Sequence, residues 1–172
     1  MPVEPDFETL FQEEVSYVWN VLRRLGVSER DLEDLTQQVF LQVYRQLAQY
    51  DPRRPLRPWL FCFALRAASN HRRLSRHRIE LQVPPPDVAD PAPGPDERLI
   101  GLEDRELAER ALSQVPLERR AVLLLHEVDG QSIPAIADAL SMPVNTAYSR
   151  LRLARQDYEK SVARLRLQRG DR

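Results

Sequence analysis

Residues 82–96 read Gln-Val-Pro-Pro-Pro-Asp-Val-Ala-Asp-Pro-Ala-Pro-Gly-Pro-Asp. Six prolines and three acids leave almost nothing to bury, and each proline removes a backbone donor and fixes φ. No helix or central strand can run through such a stretch, so it predicts a linker. It divides the chain into an N-terminal domain, 1–81, and a C-terminal domain, 97–172.

Both parts carry helical periodicity. Phe7, Leu10, Phe11, Val15, Val18, Trp19, Leu22 and Leu25 recur at three- and four-residue steps, and Gly26 stops the run. Ser28 and Asp31 suit a new first turn, followed by Leu32, Leu35, Val39, Phe40, Val43 and Leu47. Asp51-Pro52 is expected to end that helix, because proline disfavours the α conformation of the residue before it. Residues 52–58 form a stiff basic loop, and Pro58 suits the start of the next helix. That helix is apolar from Trp59 to Leu65 and basic from Arg66 to Arg78.

Beyond the linker, Leu99, Leu102, Leu107, Ala111 and Leu112 set one helix and Pro116 breaks it. Ala121–Leu125 is a short apolar helix. Ser132 caps another with Ile133, Ile136, Ala137 and Leu140, and Ser141-Met142-Pro143 makes a turn into a long helix from about Val144 to Leu167. No segment alternates as a half-buried strand does, so the chain reads as all-α: two small helical domains, of which the second has helix-turn-helix spacing over residues 132–155.

The net charge of -1 conceals segregation. Residues 52–79 hold eight arginines and no acid, and residues 119–172 hold ten basic and six acidic residues. The stretches 1–51 and 80–118 are strongly acidic. Basic blocks on two modules suit two contacts with one polyanion. No stretch approaches the ~20 consecutive apolar residues of a membrane span, and the acidic N-terminus is unlike a signal peptide. Cys62 is the only cysteine, which excludes an internal disulfide and a cysteine-cluster zinc site and suits a reduced, cytoplasmic setting. It sits in the apolar start of a helix, as an inert core thiol does.

Two stretches carry a family resemblance. Residues 132–155, Ser-Ile-Pro-Ala-Ile-Ala-Asp-Ala-Leu-Ser-Met-Pro-Val-Asn-Thr-Ala-Tyr-Ser-Arg-Leu-Arg-Leu-Ala-Arg, resemble region 4 of the extracytoplasmic-function (ECF) sigma factors of the sigma-70 family, with Leu112–Leu125 resembling the part before it. Asp31-Leu-Glu-Asp-Leu-Thr-Gln-Gln-Val-Phe40 resembles region 2.2, and Tyr50 to Arg73 resembles regions 2.3 and 2.4. The resemblance runs from about Phe7 to Lys160. Ser141 stands where the family usually has glycine, Tyr148 where it commonly has a basic residue, Leu153 where it commonly has arginine, and Asn70 where it usually has aspartate.

The resemblance implies a factor that binds core RNA polymerase, through its β′ and β subunits, and directs it to promoter DNA. It implies no region 1.1, region 3 domain or C-terminal extension. Polymerase binding falls on Asp31, Glu33, Asp34, Gln37 and Gln38. Recognition and melting of the −10 element fall on Arg53, Arg54, Arg57, Trp59, Arg66, Asn70, Arg72 and Arg73. Reading of the −35 element falls on Asn145, Thr146, Tyr148, Ser149, Arg150, Arg152 and Arg155. Trp59, an aromatic at the start of an apolar helix, reads as core as well as melting region. An anti-sigma factor is the further partner implied. It would hold a cytoplasmic protein at the membrane if itself membrane-bound, without direct membrane insertion by this chain. The two domains are expected to move independently on the linker when free.

The alternative from the residues alone is a helix-turn-helix regulator whose N-terminal domain senses a ligand or partner. An enzyme is disfavoured: His71, His77 and His126 have no ligand or triad spacing, and there is no phosphate-binding glycine loop. No metal or other cofactor is expected.

Overall fold

The computed structural model describes residues 6–80 and 99–170. Among these, all regular structure is helical: α1 (Phe7–Arg24), α2 (Glu29–Gln46), a short 3₁₀ turn (Leu47–Gln49), α3 (Leu56–Glu80), α4 (Leu99–Ser113), α5 (Leu117–Glu127), α6 (Ile133–Ala139) and α7 (Val144–Gly170). The expected linker, and with it the domain boundary, lies outside the described residues.

Local chemistry explains most of the ends. Asp6 caps α1, its carboxylate accepting from the Thr9 N–H at 3.2 Å. Gly26, with φ of 94°, supplies the left-handed residue that turns α1 into α2. Ser28 precedes α2 but does not cap a backbone N–H; its hydroxyl donates to the Asp31 carboxylate. Two boundaries differ from expectation. The α2 helix tightens into the 3₁₀ turn before reaching Asp51-Pro52, and α3 begins at Leu56, placing Pro58 within its first turn, where an N–H is not required. Ser132 caps α6, accepting from the Ala135 N–H at 3.3 Å.

Helices α1, α2 and α3 pack on one another, and α7 is the spine against which α4, α5 and α6 lie. These two groups are not separate bodies in this structure. Leu10, Val18, Leu22, Val39, Phe61 and Ala64 belong to the same buried apolar cluster as Val115, Val122, Leu125, Ile136 and Leu151. The independently moving domains expected from the linker are replaced by a closed arrangement, because both groups leave apolar faces that cover each other. Linker composition carries no information about such complementarity.

The seam contains one unusual residue. Arg120 on α5 is only 2% exposed. Among the described residues, no carboxylate pairs with it. Its guanidinium donates from Nε and Nη2 to Val115 O at 3.2 and 2.8 Å, from Nη2 to Ser113 O, and from Nη1 to Leu25 O at 2.8 Å. The first two acceptors belong to the α4–α5 bend and the third to the end of α1. Burial pushes its pKa down to about 10, with Arg72 nearby adding to the effect. Gly26 is required here twice over: a Cβ would lie 2.8 Å from Arg120 Nη1, on a backbone that already has positive φ. Arg120→Ala would orphan these carbonyls and is expected to lower unfolding stability by about 3 kcal/mol. Arg120→Lys should recover only part, since an ammonium cannot reproduce the planar fork. Urea titration of the three proteins checks both.

Candidate nucleic-acid interface

The α2 helix presents one buried and one open face. Leu32, Leu35, Thr36, Val39, Phe40 and Val43 are buried, while Glu33, Asp34, Gln37 and Gln38 are exposed. Asp31 stands apart from those four. It is half-buried and already engaged, accepting from Ser28 Oγ and lying 3.3 Å from His71 Nε2 and 3.4 Å from Arg30 Nε. The Ser28 hydrogen bond, more than the neighbouring cations, holds its carboxyl below the usual range.

Leu41, 56% exposed, was missed by sequence reasoning. It lies one turn beyond Gln37 and Gln38 on the open face. Its signal was available: it falls outside the apolar stripe that the other α2 hydrophobics share. Leu41 lines a groove of about 430 Å³ with Gln38, Gln42 and Arg45 on α2, and with Phe63, Arg66, Asn70 and Leu74 on α3. Leu74 is also strongly exposed. The groove therefore joins one residue of the expected polymerase set, Gln38, to Arg66 and Asn70 of the expected −10 set.

The other −10 candidates are dispersed. Trp59 is half-buried, its ring 4.8 Å from Tyr50 and 4.9 Å from Phe63 between centroids, so it forms a wall of the aromatic cluster. Arg53 pairs with Asp51 at 3.0 Å. Arg57 pairs with Glu14 at 3.1 Å and stacks over the Tyr17 ring. Arg54 reaches Asp138 on α6 at 3.4 Å. Arg72 and Arg73 are exposed and face the C-terminal helices. They line a cleft of about 1010 Å³ whose opposite wall includes Glu118, Arg119, Arg150 and Leu153.

Helices α6 and α7 form the expected helix-turn-helix. Ile136, Ala137 and Leu151 are buried, and small Ala137 permits the close approach. Tyr148, Ser149, Arg152 and Arg155 share a groove of about 780 Å³ beside the start of α6. Tyr148 is 56% exposed. Asn145 is exposed and Thr146 half-buried at the first turn, outside that groove. Arg155 is held by Glu127 at 2.6 Å. Arg150 separates from its expected group: it points into the interdomain cleft and pairs with Glu118 at 2.9 Å. The three-to-four-residue spacing that unites 148, 152 and 155 places 150 on another side of α7.

The remaining titratable candidates are structural. His126 Nδ1 lies 2.9 Å from Gln131 O. The half-buried Cys62 thiol donates to Ala139 O at 3.2 Å, and burial pushes its pKa up, away from reactive thiolate character. Among the described residues there is no cluster of three metal-ligating side chains, and no helix long and apolar enough to cross a membrane.

Ser141, in the turn between α6 and α7, has φ of 51°. A side chain there pays the left-handed penalty of about 1–2 kcal/mol, partly offset because glycine loosens the unfolded chain. Ser141→Gly is expected to raise stability by about 0.5 kcal/mol in urea titration, with no change in helix content.

Comparison with known proteins places these features in a family. The model for Sigma-70 region 2 matches residues 10–78, and that for Sigma-70, region 4 matches residues 105–157. The ECF RNA polymerase sigma factor SigL of Mycobacterium tuberculosis is 31% identical over 146 residues, covering 84% of this chain and 82% of SigL. The ECF RNA polymerase sigma factor SigE of Mycolicibacterium smegmatis is 29% identical over 163 residues, covering 93% of this chain; the chain spans 63% of SigE. The sigma factor RpoE of Bartonella quintana, solved with the anti-sigma factor NepR, superposes with a TM-score of 0.73 at 19% identity, over 92% of this chain and 97% of that one. CnrH, solved with the cytosolic domain of CnrY, superposes with a TM-score of 0.60 at 22% identity, over 90% and 85%.

Proposed function

Given that the chain belongs to the sigma-70 family, in its extracytoplasmic-function group, we propose that it binds core RNA polymerase and directs promoter-specific initiation by reading −10 and −35 elements. The observation that carries the reading is the pairing of two surfaces on one chain. One is a helix-turn-helix whose second helix offers Tyr148, Ser149 and Arg152 to a major groove. The other is the open α2 face, an acidic and amide surface with Leu41 in it. A DNA-binding regulator requires only the first.

On this reading Glu33, Asp34, Gln37, Gln38 and Leu41 contact the polymerase. Leu41 supplies the apolar anchor and the polar residues set orientation. Asp31 positions α2 through Ser28 and His71, with less left over for a partner. Arg66, Asn70, Arg72 and Arg73 meet the −10 region, together with the loop cations Arg53, Arg54 and Arg57. Opening the duplex requires a base to leave the stack and a strand to be held, which cations beside an aromatic wall can do. Trp59 serves as that wall. Asn145, Thr146, Tyr148, Ser149, Arg152 and Arg155 meet the −35 duplex. The protein performs no covalent chemistry of its own and uses no cofactor. The domain arrangement we propose is 1–81 for polymerase and −10 contact, and 97–172 for −35 contact.

The solved neighbours' complexes with an anti-sigma factor and with a CnrY domain support a similar partner for this chain. If such a partner is membrane-bound, it would tether this chain there; otherwise the chain works in the cytoplasm.

Run-off transcription with purified core polymerase tests the reading, using promoter fragments from the source genome. The wild-type chain should give discrete products. Leu41→Asp with Asp34→Arg should reduce core binding at least tenfold while leaving salt-dependent duplex binding intact. Arg152→Ala should leave core binding intact and weaken promoter discrimination by about 1–3 kcal/mol at the affected base pair. Duplex binding with no initiation by the wild type would favour the regulator alternative instead.

A further inference from the structure

Two acids at opposite ends of α5 meet two arginines of α7. Glu118 in the first turn pairs with Arg150 at 2.9 Å, and Glu127 in the last turn holds Arg155. The two pairs have different surroundings. Arg150 lines the cleft beside α3, whereas Arg155 stands in the groove with Tyr148, Ser149 and Arg152, the residues offered to the −35 duplex. Arg155 Nε at 2.9 Å and Nη2 at 2.6 Å both donate to one oxygen, Glu127 Oε1. Arginine carries its N–H donors in a planar fork, so the edge with Nη1 stays open. Arg152, exposed in the same groove, has no acid partner among the described residues.

Neither helix requires the Glu127–Arg155 pair for its own stability. Glu127 sits at the C-terminus of α5, where the helix dipole is negative and a carboxylate is unfavourable. Arg155 has a local alternative in Glu159, one turn on along α7 and exposed beside the same groove, yet its hydrogen bonds cross to α5. The partners are 51% and 47% exposed, so the pair contributes little to folding. Its consequence is geometric. A free arginine follows whichever phosphate is nearest and strengthens binding to any sequence. A clamped one meets DNA only where the duplex brings a phosphate or a base edge to its open side. The carboxylate adds the reverse condition, because a duplex seated out of register brings phosphate against a negative charge.

We propose that Glu127 is a positioning residue for −35 recognition: it fixes the Arg155 fork and thereby makes duplex binding depend on sequence. The proposal rests on the −35 reading above and names a determinant of its specificity. Arg152 and Arg155 then have separate tasks. Arg152 is free to reach a base edge beside Tyr148 and Ser149, and Arg155 meets the backbone only when the duplex lies in the register those contacts set. Glu127 touches no DNA in this scheme and acts through Arg155.

The test titrates the full chain against two labelled duplexes by fluorescence anisotropy over a range of salt. One duplex is the −35 region of a promoter fragment that yields run-off product, and the other is its shuffled copy. Glu127→Gln should bind the shuffled duplex at least threefold tighter, with a log–log salt slope steeper by about 0.9, as one more phosphate is neutralised. Its affinity for the promoter duplex should not rise, so the specificity ratio falls at least threefold. Arg155→Ala should lose specificity too, and adding Glu127→Gln to it should change nothing further. Glu159→Gln removes the same charge from the same groove outside the pair, and should keep the ratio within about twofold of the wild type. An unchanged ratio in Glu127→Gln would overturn the proposal and leave the −35 reading standing. So would an equal fall when Glu127→Gln is made in the Arg155→Ala background, or an equal fall in Glu159→Gln. No run-off product from any fragment, or equal wild-type binding to the two duplexes, would overturn that reading and the proposal with it.

Discussion

A single buried guanidinium organises this structure. Moving a cation out of water is expensive, and among the described residues Arg120 has no carboxylate to offset it. What compensates is a set of backbone carbonyls from two places: Ser113 and Val115 in the α4–α5 bend, and Leu25 at the end of α1. Those carbonyls have few other partners, since a helix leaves its last acceptors unsatisfied and its C-terminus partially negative. The cation and the helix ends thus solve each other's problem. Arginine suits the role because its planar fork addresses several acceptors at once and its charge cannot be shed near neutral pH.

Much else follows from that site. The approach of Arg120 to the α1–α2 turn forbids a side chain at position 26, and the positive φ there makes the turn tight. The turn sets the direction of α2, and so the direction of its open face. On the other side, Arg120 fixes the α4–α5 bend, which seats α5 against α7. The helix-turn-helix and the α2 face, far apart in sequence, are therefore oriented through a shared core.

Local features were legible in the sequence because they obey local rules. The helix-turn-helix, the stop at Gly26, the break at Pro116 and the cap at Ser132 were read from spacing and capping chemistry, and the structure has each of them. Ser141, which stands where the family usually has glycine, adopts positive φ in the structure. What escaped was tertiary. Periodicity says which face of α1 and α5 is apolar, not that these faces meet. In sequence Arg120 falls within a basic block, yet it lies one turn before Leu123 and Leu124 on a helix buried nearly all round. Arg150 was grouped with its neighbours in sequence, whereas helix geometry sends it to the cleft. Leu41 lies off the stripe, and only its place beside Gln37 and Gln38 on the open face distinguishes it from a scattered surface hydrophobic.

The central claim is that both helical groups form one cooperative unit around this seam. Both tryptophans, Trp19 and Trp59, lie in the N-terminal group, in α1 and α3, so their fluorescence reports that group alone, while far-ultraviolet dichroism reports all the helices. Urea unfolding followed by the two signals should give one coincident transition, with a slope appropriate to the whole chain. A fluorescence transition that completes while a large share of the helical signal remains, with shallow slopes in each step, would show two independent units and contradict the account.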